Sequence, residues 1–314
     1  MVLLNSPKSP VTGKNNTTLT DTFLAKDIIR LYKLQLEMDV SRFFKDIDSN
    51  SLYRCNDTGY KFYYPGGIDG DGKFYEELQN KLGDGYYHSW KFENQLAYDV
   101  TKPGDKIIDI GCGPGNFLQK VKKKTGNVFG IELNEKAAAE CRKKYIPVYN
   151  ELIQQHATAY KEYYDVVCMF QVLEHIYDVK SFLDASISVL KTGGKLVIGV
   201  PDNEPYFAGY DKYCTLNLPP HHMGLWNKNV FIKLSQLYNL KILKVEYDTT
   251  GRILAEAYLR AKYLSGIKSM AGKHSAKEKM IISLFGLLTL PATIIKKVTK
   301  GLHGSHIAVV FEKL

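Results

Sequence analysis

The chain has 314 residues, 45% of them hydrophobic, enough for a sizeable core in one large domain or one domain with additions. Its net charge of +9 favours acidic partners such as nucleic acid, an anionic membrane face or a phosphorylated small molecule, yet no long Lys/Arg block is present. The five cysteines, Cys55, Cys112, Cys141, Cys168 and Cys214, contain no C-x-x-C pair, which argues against a disulfide framework and fits a reducing cytoplasm.

The start, "MVLLNSPKSP", has too short an apolar run for a signal peptide. Residues 1–65 are polar and turn-rich. Two pieces there share one form: "SPVTG" (Ser9 to Gly13) and "CNDTG" (Cys55 to Gly59). Zinc ribbons use two C-x-x-C-G knuckles, because four thiolates hold the metal tetrahedrally. Here the four ligand positions read Ser9, Thr12, Cys55 and Thr58. The expectation is a ribbon-like module that has lost its metal, so no zinc is assigned.

From Lys106 the pattern changes. Short β-branched runs ("KIIDIG", "NVFGIEL", "DVVCMF", "GKLVIGV") alternate with amphipathic helical stretches. Strands alternating with helices of this length predict a parallel sheet with crossover helices, an α/β fold. Residues 252–301 break the alternation and read as a helical insertion before a last strand, so 66–251 plus 302–314 form the expected main domain. Within the insertion, residues 280–295 carry no charge and are flanked by lysines. That segment is short for a membrane span and contains Pro291; an interfacial helix at the inner membrane face fits it, and a homodimer helix is the competing reading.

"KIIDIGCGPGNF" carries the strongest signal. A strand ends at Asp109, and Gly111, Gly113 and Gly115 follow at alternate positions before a helix. Such a loop admits a ligand against bare backbone, and the helix N-terminus favours a carboxylate or phosphate. The second strand ends in Glu132, placed to accept the hydroxyls of a ribose. Asn116 replaces the third glycine of the dinucleotide fingerprint, and Asp109 suits an ammonium better than a pyrophosphate. The ligand implied is S-adenosylmethionine.

On "DIGCGPG", "GIEL", "FQVLEHIYD" and "LKTGGKLVIGVP", the chain resembles the class I S-adenosylmethionine-dependent methyltransferases. The resemblance implies a Rossmann-like sheet of seven strands in the order 3-2-1-4-5-7-6. It also implies cofactor contacts from Asp109, Gly111, Cys112, Gly113, Gly115, Asn116, Glu132, Leu133 and Gln171, with adenine near Asn150 or Glu151. Among such enzymes it looks most like bacterial methyltransferases of sugar and surface-polysaccharide biosynthesis, many of which carry an N-terminal ribbon and a P-P-H-H-x-x-x-W-like loop.

"LEHI" follows the fourth strand of that sheet and "PPHHMGLW" the fifth, and ligands in open α/β sheets sit beyond those strand ends. The candidates at the methyl group are therefore Glu174, His175, His221 and His222. A loop histidine could serve as base for a hydroxyl. In a second reading Glu174, His175 and a loop histidine bind a divalent metal that orients the acceptor oxygens. Ubiquinone-type O-methyltransferases have a related E-x-x-E-H arrangement with metal attributed to it; here Gln171 stands first, a weaker ligand, and no metal is assigned. Trp226, Tyr206, Tyr210 and Tyr213 could wall a sugar ring. The expected acceptor is a nucleotide sugar or lipid-linked glycan hydroxyl. The alternatives are a quinone or other lipid, or a fold that binds cofactor without turnover. No tetrapeptide of the kind that holds base amines follows the fourth strand, so nucleic acid is not expected.

Overall fold

The computed structural model describes residues 6–82, 90–203, 215–248 and 304–314. The helical insertion at 252–301, the apolar segment 280–295, Tyr206, Tyr210, Tyr213 and Cys214 lie outside the described residues. Among the described residues, no helix is long and apolar enough to cross a membrane.

The described residues form eleven strands. The first three, β1 (Thr17–Leu24), β2 (Ser49–Cys55) and β3 (Lys61–Tyr64), run antiparallel. Then come β4 (Lys106–Ile110), β5 (Asn127–Ile131), β6 (Val148–Tyr149), β7 (Tyr164–Phe170) and β8 (Leu190–Pro201). The chain continues into β9 (Gly224–Leu225), β10 (Leu240–Tyr247) and β11 (His306–Lys313).

The larger sheet has seven strands in the order β10-β11-β8-β7-β4-β5-β6. Numbered within the sheet alone, this is the expected 3-2-1-4-5-7-6. Only β11 runs against its neighbours. The central strand β4 is buried at every position except its first, as a parallel strand covered by helices on both faces must be. Helix Asn116–Thr125 begins after Gly115 and stops at Gly126, both in the left-handed region. The Gly126 N–H donates to the Lys122 carbonyl, and Lys122, Lys123 and Lys124 sit at the negative end of the helix dipole. Side-chain caps start further helices: Asn134 Oδ1 accepts from the Ala137 N–H, Asp178 Oδ1 from the Ser181 N–H, and Asn227 Oδ1 from the Val230 N–H.

The smaller sheet has the order β1-β2-β3-β9. Its fourth strand comes from far along the chain, with Phe62 opposite Gly224 and Lys61 opposite Leu225. Gly224 is required there, because any Cβ would meet the Tyr60 hydroxyl. One core joins Phe23, Ile28, Tyr32, Phe74 and Leu78 to Leu218 and Met223, so packing runs across residue 65 without a break. Cys55, Tyr60 and Phe62 belong to the main core instead, together with Trp226 and Phe231.

Trp226 is thus not part of an acceptor wall. It is fully buried, 4.5 Å from the Tyr60 ring and stacked at 5.4 Å on Phe231. Its apolar bulk is worth more in a sealed core than in an open loop.

The two N-terminal turns come together as near copies. Gly13 N–H donates to the Ser9 carbonyl and Gly59 N–H to the Cys55 carbonyl, each at 2.8 Å. Both glycines have positive φ. Thr12 Oγ1 lies 4.0 Å from Cys55 Sγ. Burial raises the Cys55 thiol, but hydrogen bonds from Ser9 and Thr58 outweigh it and hold the thiol below its ordinary value.

Candidate active site

A cavity of about 1340 Å³ lies beyond the carboxyl ends of β4, β5, β7 and β8. Its lining takes in Asp109, Gly111, Cys112, Gly113, Asn116, Glu132, Leu133, Gln171, Glu174, His175, His221 and His222. Of the expected cofactor and catalytic residues, Gly115 alone is outside this lining and works from behind; Asn150 and Trp226 are also outside it. At Gly115 a Cβ would strike Cys141 Sγ, and its φ of +75° is strained for any side chain. The turn can therefore pass tightly into the helix only as glycine.

The β4 end is the polar cradle. Asp109 is buried, and its Oδ1 has no hydrogen-bond partner. Burial pushes its carboxyl well above the usual range, with further contributions from Cys141 and Glu132. Glu132 is better satisfied: Oε2 accepts from the Gly113 N–H at 2.8 Å and Oε1 from the Asn134 N–H at 2.7 Å. Each oxygen keeps a lone pair for a further donor. Asn150 Nδ2 donates to the Glu132 and Leu133 carbonyls, fixing this corner. Leu133 and Leu152 line the cavity yet are 58% and 50% exposed, offering apolar surface for a flat ring. Glu151, also in the lining, is held at 2.7 Å by His156 Nδ1, whose Nε2 pairs with the Tyr164 hydroxyl at 2.7 Å.

At the opposite end the two candidate loops converge. Met223 N–H donates to the Glu174 carbonyl at 2.8 Å. His175 Nδ1–H donates to the His221 carbonyl at 2.6 Å, and His221 Nδ1–H donates to the Leu216 carbonyl at 2.9 Å. A carbonyl can only accept, so the bond to Leu216 fixes the His221 tautomer and leaves its buried Nε2 with a lone pair and no partner, while His175 has a second backbone partner in Gln171. The His221 and His222 rings stack at 4.4 Å, and His175 lies 4.8 Å from His221 and 5.1 Å from His222. Burial pushes His175 down to about 4 and, with His175 beside it, His221 down to about 3. His222 is also held well below its ordinary value, chiefly by burial. All three imidazoles are neutral near pH 7. Glu174 is pushed up to about 8 by burial.

The N-terminal region holds the histidine loop in place. Tyr32 Oη–H is shared between the Thr215 and Leu218 carbonyls, both at 2.9 Å, and the same oxygen accepts from the His221 N–H at 3.3 Å. Gly70 N–H donates to the Pro220 carbonyl, and Tyr63 N–H to the Met223 carbonyl. The Pro219–Pro220 bond is cis.

Two lining residues escape the sequence motifs. Tyr75 stands over the histidines, its ring 5.3 Å from His175 and 6.0 Å from His221. Glu93 is buried, accepts from Gln171 Nε2 at 3.3 Å, and keeps Oε2 without a partner. A signal for Glu93 exists: it shares with Leu96 and Ala97 the buried stripe of helix Phe92–Val100, an odd place for a carboxylate.

A family model described as a methyltransferase domain matches residues 88–245. The human mitochondrial ubiquinone biosynthesis O-methyltransferase is 32% identical over 104 residues, 30% of this chain and 28% of that protein. The ubiquinone biosynthesis O-methyltransferase of Hahella chejuensis is 28% identical over 144 residues, 43% of this chain and 60% of that one. These matches thus span less than two thirds of the relatives' length. A crystal structure of an S-adenosylmethionine-dependent methyltransferase from Archaeoglobus fulgidus aligns over 70% of this chain and 94% of that one, at 18% identity and a TM-score of 0.47. Since the family model covers half of the chain, and covers it where the sheet and cradle lie, the protein belongs to the methyltransferase-domain family.

Proposed function

We propose that this enzyme methylates a hydroxyl oxygen on a flat, ring-bearing acceptor of the phenol or quinol kind. One observation carries the reading: the unpartnered ring nitrogens of His221 and His222 lie with the aromatic ring of Tyr75 at the far end of the cofactor cavity. A planar acceptor fits against the ring while its hydroxyl reaches the imidazoles. The names of the matched relatives, ubiquinone biosynthesis O-methyltransferases, point the same way. They favour this class over the sugar or glycan expected from the resemblance.

In this reading, Asp109 takes the ammonium of the cofactor, the N–H groups before helix Asn116–Thr125 its carboxylate, and Glu132 its ribose. The orphaned Oδ1 of Asp109 is the observation that fits the cofactor best, since a buried carboxylate oxygen without a donor is costly. Once bound, S-adenosylmethionine supplies a methyl group already activated by its sulfonium. The chain then has to hold the acceptor oxygen in line, a positioning effect worth several kcal/mol, on the order of 7–11 at most. With protonation held so low, the imidazoles orient the hydroxyl better than they accept its proton.

The N-terminal sheet reads as a ribbon whose metal has been replaced. Ser9, Thr12 and Thr58 surround the Cys55 thiol where further thiolates would stand. Hydroxyl–thiol hydrogen bonds do the cross-linking instead.

The test uses methyl-labelled S-adenosylmethionine with three acceptor pools: catechol-type phenols, nucleotide sugars and total RNA. Label in an ether-linked phenol product is expected. Transfer to the sugar or RNA pool alone would overturn the acceptor class.

A further inference from the structure

We infer that His175, His221 and His222 form a binding site for one divalent transition-metal ion, and that this ion holds the acceptor hydroxyl. The inference rests on the O-methylation reading for the ion's role, but not for its binding.

One ring nitrogen from each of the three histidines lies within 4.8 Å of the other two. Tetrahedral sites with bonds of about 2.1 Å need donors roughly 3.4 Å apart, so ring rotations of about an ångström close the cluster. The His221 lone pair is already chosen. Carbonyls hold the Nδ1–H of His175 and of His221, which is the outer-shell arrangement that orients metal-binding histidines. His221 Nε2 and His222 Nδ1 are buried with no partner, although both rings are only 5% exposed. Buried polar atoms in a folded protein seldom lack partners, and two in one cluster point to a missing ligand.

Charge fits as well. Glu174 Oε2 and Glu93 Oε2 are also buried and unpartnered in the same cavity. Glu174 Oε1 lies 3.7 Å from His175 Nε2. A dication would answer both carboxylates and the imidazoles together. Three imidazoles select a borderline ion such as Zn²⁺, Co²⁺ or Fe²⁺ over Mg²⁺ or Ca²⁺. They also leave coordination positions open towards the cavity, as catalytic sites do.

The donor set is this chain's own. It takes two histidines from the loop before β9 and one from the turn after β7, not a run of acids. In the step that follows, the acceptor oxygen's lone pair forms the C–O bond, the C–S bond breaks with its pair left on sulfur, and the hydroxyl proton leaves to water. The ion makes that proton easier to lose.

The experiment uses the full chain, stripped with a chelator, reduced, and titrated with Co²⁺. Uptake of one equivalent with visible d–d absorption, displaced by Zn²⁺, is expected. His221→Ala and His222→Ala should each weaken Co²⁺ binding by about tenfold or more while S-adenosylmethionine binding by calorimetry persists, which shows that the variants fold. No stoichiometric uptake by the wild type overturns the site. So does a thiolate charge-transfer band, or uptake unchanged in both variants. Methyl transfer unaffected by stripping would overturn the ion's role. A product methylated on carbon or nitrogen, with Co²⁺ uptake intact, would instead refute the O-methylation reading and leave the site standing.

Discussion

Asp109→Asn should move two observables in opposite directions. The side chain is 3% exposed, its Oδ1 is unpartnered, and burial pushes its carboxyl well above the ordinary range. Ionised, it is a burden on the cofactor-free fold and an asset once an ammonium arrives. Hydrogen bonds to charged groups contribute about 1.5–3 kcal/mol, so the neutral amide should weaken S-adenosylmethionine binding roughly ten- to a hundredfold. Without cofactor the variant should be the more stable protein above neutral pH, by on the order of 1 kcal/mol or about 2–4 °C in Tm. The sign follows from proton linkage. The folded chain binds this proton more tightly than the unfolded chain does. Wild-type stability therefore falls as the pH rises from about 4 towards the folded value, and the amide lacks that slope. Calorimetric titration and thermal melts between pH 5 and 9 read both effects. Unchanged cofactor affinity would refute the ammonium assignment, and a lower Tm in the cofactor-free variant would show that the charge is already compensated.

Gly115→Ala should cost about 2–4 kcal/mol in chemical denaturation and abolish measurable cofactor binding, since it combines left-handed strain with a clash on Cys141. Gly193→Ala, at a similar φ of +76° but with open space around it, should cost only about 1 kcal/mol under the same assay. Tyr32→Phe removes the hydroxyl shared by Thr215, Leu218 and His221; it should raise KM for the acceptor several-fold and lower stability by about 1–3 kcal/mol, with cofactor affinity unchanged in calorimetry. The combined variant Ser9→Cys, Thr12→Cys, Thr58→Cys should bind one zinc ion tightly and raise the Tm in its presence; failure to bind would mean the turns only look like metal knuckles.

Much of the large sheet is legible because its strands state their environment locally. β4, β7 and β8 are apolar on both faces, and the Asp109–Gly115 turn needs glycines wherever backbone meets ligand or neighbour. The two-residue β6 is too short to show any period. The acceptor side is less legible. Nothing local in "GL" says that Gly224 and Leu225 will complete a sheet begun near residue 17, because that pairing is set by Tyr60 and Phe62 far away. Trp226 misleads for the same reason: its stacking partners, Tyr60 and Phe231, come from distant segments. The histidine cluster shows both limits. Its members are evident in sequence, but their mutual distances depend on Tyr32, Gly70 and Tyr63, which no motif marks.

The fourth strand of the small sheet also sets an order of events. Residues 6–82 cannot close their own sheet until Gly224 and Leu225 have been made, whereas the cradle from Asp109 to Glu132 needs only its neighbouring strands. Contacts this far apart in sequence are slow to form. On a growing chain the nucleotide half should therefore be in place first, with the start of the protein waiting for a segment some 160 residues downstream of β3. The joining of the two sheets and the assembly of the three histidines then become one late step, so a chain that has not finished folding holds its cofactor pocket without the means to receive an acceptor.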